Sequence, residues 1–289
     1  MIHALADARR LALARLAILA TWVFDIARDP FPDLAALPVT WFSAHGLWAL
    51  MPEGMVRALW STPALLALKL LTLGCLVLAL LGVAGYRAWA VLAALLLTIV
   101  TGFLRGFGHA DHAQVQLLFV TYALLFLPAW DALSLRSTGR ARPSGAYAAS
   151  FAALSLVFAV PYFAIAIYRI THEGVALYFG SSMLHFIARD TLSLDHFDFS
   201  IGLDIVETQA FRPWLNLGFA VVTLAELASP WVHLRRSWCV LWLALIGPFH
   251  LLSPLLMHVA FFHNLVLLVV LYVVPLCWRG RSQPAAAAA

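Results

Sequence analysis

The chain runs again and again for about 20 residues with almost no charge, which leaves a polypeptide few choices of fold. Residues 62–81, TPALLALKLLTLGCLVLALL, carry a single charge, Lys69. A bilayer core is about 30 Å thick and takes about 20 helical residues to cross. With no water inside it, backbone groups must bond to one another, and one continuous apolar run does this as a helix. Comparable runs lie near residues 10–27, 62–83, 88–104, 115–133, 148–168, 213–232, 237–253 and 257–277. They predict an all-α integral membrane protein, a bundle of about eight transmembrane helices. The composition agrees, at 63% hydrophobic and 11% charged, where soluble domains carry about 25% charged residues. The first run leads straight into DIARDPFPD with no A-x-A-type site before it, so it reads as a span rather than a signal peptide.

Basic residues set the expected orientation. With eight spans, both termini share a side with eleven arginines, against six on the other. The termini are therefore expected to be cytoplasmic, in a bacterial inner membrane. Most acids fall on the arginine-poor, outer side, including Asp29, Asp33, Asp111, Glu173, Asp204 and Glu207. The basic balance belongs to the cytoplasmic arginines, so no nucleic-acid partner is expected. The three cysteines, Cys75, Cys239 and Cys277, have no CxxC spacing and imply neither a disulfide framework nor a thiolate metal site. Residues 1–281 read as one transmembrane domain, followed by a low-complexity tail at 282–289.

Two outer segments are long. Residues 28–61 contain Trp41, Trp48 and Trp60 among prolines, a pattern suited to interfacial anchoring. Residues 169–212 mix aromatic, aliphatic and acidic residues and are expected to fold back over the helix ends as a cap.

Ionisable residues inside a bilayer are costly and usually face a cavity or a partner. They gather here in FLRGFGHADHAQVQLLF, which holds Arg105, His109, Asp111, His112, Gln114 and Gln116. His109 and His112 share a face if the turn is helical, and Gln116 continues it. His250, in GPFHLLSP, precedes a turn beyond which come His258, His263 and Asn264. The bland reading of each is an interfacial residue bonded to a carbonyl or water. His-x-x-His could offer two imidazoles to a metal, but it lacks the Glu of a His-Glu-x-x-His helix, so no metal site is assigned. Lys69 is expected to snorkel to the headgroups. Glu226 and Asp131 are expected to pair or cap near the cytoplasmic ends of their spans.

Three stretches in this order resemble the HTTM superfamily, the membrane region shared with vitamin K-dependent gamma-carboxylase. They are GHADHAQVQLLFVTYALLFLPAWDALSL, PYFAIAIYRITHEGVALYFGSSM and AELASPWVHLRRSWCVLWLALIGPFHLLSPLLMHVAFFHNLVLL, within about residues 101–275. The resemblance implies that His112 matches the histidine beside the carboxylase's catalytic lysine and His250 a second site histidine. Arg169 falls where that lysine should stand, and Gly174 where a tryptophan is expected. An arginine stays charged and cannot serve as that lysine's neutral base, so lysine-dependent glutamate carboxylation is not expected.

The residues and the resemblance together lead to an outward-facing polar cavity. In it His112 and His250 would act as acid/base or hydrogen-bonding groups, and Arg169, His109, Gln116 and Glu173 would hold a ligand. Arg169 also has a simpler reading, an anchor paired with Glu173 four residues on. The expected function is a membrane-embedded enzyme acting at the outer face on a lipophilic or quinone-like molecule. The alternative is a non-catalytic binding, transport or assembly protein with an anion-binding cavity, with an exported protein or peptide as its expected partner.

Overall fold

The structure is a computed structural model, which describes residues 7–44, 46–107, 112–136, 142–174, 176–193, 199, 201–209 and 211–277. The described residues form helices and turns, with no strand among them. Five of these helical runs are long and apolar enough to cross a membrane: Thr62–Leu81, Tyr86–Arg105, Gly145–His172, Arg212–Leu234 and Arg236–Met257. Apolar helices at Gln114–Leu124 and Phe262–Cys277 are shorter. The chain divides into two compact units, Ala8–Pro143 and one beginning at Ser144.

The first unit holds α1 (Ala8–Arg28), three short 3-10 turns, α2 (Glu53–Leu59), α3 (Thr62–Leu81), α4 (Tyr86–Arg105) and α5 (His112–Leu124). Ser61 caps α3 by accepting from the Ala64 amide, and Pro63 sits in the first turn, where its missing N–H is no loss. The helix ends at Gly82, whose φ of +65° suits a residue without a Cβ. A Cβ there would also lie 2.5 Å from that of Ser134. Helix α1 packs on α3, and Trp22 Nε1 on α1 donates to Thr121 Oγ1 on α5 at 2.9 Å.

The fourth apolar run departs from its expected length, because its helix stops at Leu124 rather than continuing to 133. The amides of Leu125, Phe126 and Leu127 each bond three residues back, and Pro128 brings no N–H to continue the helix. The turns that follow return to the end of α3, where Leu135 N donates to Leu81 O at 2.9 Å. Arg15 fastens them from α1. Its guanidinium, fully buried, donates to Ala129 O (3.1 Å), Ser134 Oγ (2.6 Å) and Leu133 O (2.6 Å). Lys69 Nζ donates to Asp29 O at 2.7 Å, so it caps the end of α1. Two of the three expected interfacial tryptophans turn inward. Trp48 is buried and bonds Ile99 O, Trp60 bonds Leu37 O, and both rings pack with Phe42 and Phe103. Trp41 remains exposed.

The second unit holds α6 (Ser144–Tyr168), a π-helical turn at Arg169–Glu173, α7 (Ala176–Phe179), α8 (Ser182–Ser193), α9 (Ile201–Thr208) and α10 (Arg212–Ala228). A 3-10 turn at Ser229–Leu234 leads to α11 (Arg236–Met257), followed by α12 (Phe262–Leu268), a π-helical turn at Val269–Val273 and α13 (Val274–Cys277). Helix α6 is tied to its neighbours by Ser229 Oγ to Ala159 O (2.9 Å) and Tyr272 OH to Ser155 O (3.0 Å). Trp242 Nε1 links α11 to α10 through Ala225 O at 3.0 Å. The segment expected to fold back does so as short helices. Leu177, Met183, Ile187 and Phe219 form its apolar cluster, and Thr191 Oγ1 bonds Leu256 O at the end of α11.

Candidate intramembrane polar site

His250 lies in the middle of α11 between two prolines, Pro248 and Pro254. Proline lacks an N–H, so Pro254 cannot serve the His250 carbonyl four residues before it. The imidazole is 1% exposed, and its Nε2 lies 2.7 Å from the Tyr162 hydroxyl on α6. Asn264 on α12, 4% exposed, donates from Nδ2 to the same hydroxyl at 3.0 Å. Three helices therefore meet through one phenol oxygen. Around it the rings of Phe158, Trp242 and His250 stand edge-on to Tyr162, and Phe261 covers the imidazole at 4.9 Å.

The network is not closed. His250 Nδ1 and Asn264 Oδ1 are buried with no hydrogen-bond partner among the described residues. Such a group costs about 1–3 kcal/mol relative to one that is satisfied. Buried polar atoms are seldom left this way without an ordered water, an ion or a functional reason.

A charged pair lies beside it. Arg169, the first residue of the π-helical turn, forms an ion pair with Glu226 of α10, and its guanidinium stands 4.8 Å over the Phe219 ring. The Glu226 carboxylate is 2% exposed and is an electrostatic neighbour of the Tyr162 hydroxyl. A carboxylate so deep needs the guanidinium, and π-helical turns recur at functional positions because they re-aim one side chain. The partner of Arg169 thus comes from a neighbouring helix, at a distance in sequence that no i+4 rule reaches. Asp131, also expected to pair, does so with Arg142 at 2.9 Å.

Of the residues singled out in the sequence, His250 and Arg169 belong to the second unit, and His112, His109 and Gln116 to the first. Gln116 is 3% exposed on α5, and its Oε1 has no partner among the described residues. His109 lies outside the described residues, as do the side chains of His112 and Glu173. Among the other histidines, His258 ends α11 in the left-handed region and its Nε2 lies 2.8 Å from Phe199 O, a structural tie. His263 is buried on α12. Tyr162 went unnoticed in the sequence, since one tyrosine in an apolar run is ordinary. Its signal was its place beside Pro161, inside a span.

No family model, curated protein or solved structure matches the chain.

Proposed function

We propose that this chain is a multi-pass membrane protein of HTTM type that takes a lipophilic molecule with a hydroxyl-bearing head, such as a reduced quinone, from the bilayer and acts on that head at Tyr162, His250 and Asn264. The observation that carries this reading is the unfinished network in the second unit. An imidazole, a phenol and an amide converge in a buried place among aromatic rings, and two of their polar atoms have no partner among the described residues. Intramembrane ionisable residues tend to mark substrate or proton paths. His250 and Tyr162 together can exchange a proton with a bound head group, the work of an acid/base pair.

The proposal includes eight spans with both termini cytoplasmic in a bacterial inner membrane. The five long helices would be joined by α1, α5 and the run from α12 to α13. Arg169 stands against the anion-binding alternative, since Glu226 already balances its charge. Arg169 is then a positioning residue that holds the neighbouring helices around Tyr162.

The test is lipid extraction and native mass spectrometry of the purified protein beside His250→Ala. The wild type should retain a lipophilic molecule that the variant loses while staying monodisperse. An identical set of molecules at equal stoichiometry in both would overturn the reading.

A further inference from the structure

We propose that the Tyr162–His250–Asn264 site selects an uncharged amphiphile whose head both donates and accepts a hydrogen bond, a long-chain primary amide or alcohol, and discriminates against a carboxylate or phosphate. This rests on the reading of the same three residues as a ligand site.

The phenol has one proton, and its two partners are fixed by distance: Asn264 at 3.0 Å and His250 Nε2 at 2.7 Å. With Asn264 Nδ2 donating to the phenol oxygen, the phenol proton goes to His250 Nε2. The neutral imidazole then carries its own proton on Nδ1. The two ends of the chain without partners are therefore of opposite kind: Nδ1–H is a donor and Asn264 Oδ1 an acceptor. Turning the amide over reverses every bond in the chain. His250 Nε2–H then donates to the phenol, which donates to Asn264 Oδ1, and the free ends become an imidazole acceptor and an amide donor. One donor and one acceptor remain in either direction.

A head that only accepts, such as a carboxylate or a phosphate diester, can meet one of these ends and faces an oxygen or nitrogen lone pair at the other. It must also shed its hydration in a place walled by Phe158, Phe261 and Trp242. The cation of the cluster gives it no help, because Arg169 is matched by Glu226. An amide or hydroxyl head offers one donor and one acceptor, the pair these ends call for, without charge. A buried donor or acceptor left unpaired costs enough to make this a specificity of about tenfold or more.

The probes are oleamide, oleyl alcohol and oleate, which share a chain and differ at the head. Each is titrated at neutral pH onto the detergent-purified full chain and onto His250→Ala, with bound probe counted by native mass spectrometry. The amide and the alcohol should bind at least about tenfold more tightly than oleate, and His250→Ala should weaken them. Asn264→Leu should remove the preference for the amide and spare the binding of the chain. Oleate binding as tightly as oleamide, with both lost in His250→Ala, would overturn the head-group selection and leave the ligand site standing. Absence of all three from the wild type, or binding indifferent to His250→Ala, would overturn both and make water the partner of these atoms. The wild-type comparison of oleamide with oleate needs no variant to fold.

Discussion

Removing one member of the Arg169–Glu226 pair leaves a different problem from removing both. Glu226→Leu strands a guanidinium over the Phe219 ring with no counter-charge, and breaking a buried pair from one side costs about 3–5 kcal/mol. Arg169→Met strands the carboxylate, which can take up a proton, so its loss should be smaller. The double variant replaces the pair with apolar volume and should unfold at a higher temperature than Glu226→Leu alone. Melting in detergent, followed by fluorescence-detected size exclusion, reads all three. A double variant whose loss equals the two single losses added together would show that the pair is not coupled. Arg15 makes a second case, because its two terminal nitrogens serve three acceptors at once. Arg15→Lys keeps the charge and loses the fork. Hydrogen exchange at the Leu135 and Arg136 amides should rise in that variant; unchanged exchange would mean that the turn is held by its bonds to α3 alone.

Helices read clearly from this sequence where apolar length was the signal, and less clearly where proline and close approach decided. The starts of α3, α10 and α11 fall within two residues of the expected ones, because a charge, a proline or a capping serine marks each. The early end of α5 was hidden, since Leu125–Leu127 are as apolar as the helix before them and only Pro128 hints at the change. The site was half legible. His250 and Arg169 were visible as ionisable residues in greasy surroundings, but nothing local pairs residue 162 with 250 or 264, or 169 with 226. Those pairings come from the packing of α6 against α10 and from the approach of α11 and α12 to Tyr162. Gly202 is another such position, on α9 against α11. A Cβ there would lie 2.0 Å from Leu256 O, a backbone atom that has no side chain to move aside. Gly202→Val should therefore lift α9 from α11 and weaken the neighbouring Thr191–Leu256 bond. Limited proteolysis should cut within 199–209 faster than in wild type, with the helical circular dichroism kept. Equal cutting rates would place α9 elsewhere.

At the scale of the chain, the open quantity is how many times it crosses the bilayer, and the two counts differ in a way that can be measured. Counting only the five long helices, α3 and α4 precede Pro143, and α6, α10 and α11 follow it. An odd number of crossings after Pro143 places the C-terminus on the opposite side from that residue. Eight spans add the run from α12 to α13, which makes the number even and returns the C-terminus to the same side. That run is about 24 Å long at 1.5 Å per residue, short of a full core yet tolerable where a bilayer thins or flanking residues snorkel. Arg235 and Arg236 stand at one end of α11, and Arg136 and Arg142 flank the connection before α6. The positive-inside rule puts all four in the cytoplasm in either arrangement, since two crossings separate the pairs, and only the even arrangement brings Arg279 and Arg281 to the same side. Reporters fused after Pro143 and after Arg281 should both fluoresce as green fluorescent protein and both be inactive as alkaline phosphatase. Opposite results at the two positions would remove the last crossing. The His263–Asn264 end of α12 would then enter the membrane and leave on the same side, and Asn264 would reach Tyr162 from a re-entrant helix.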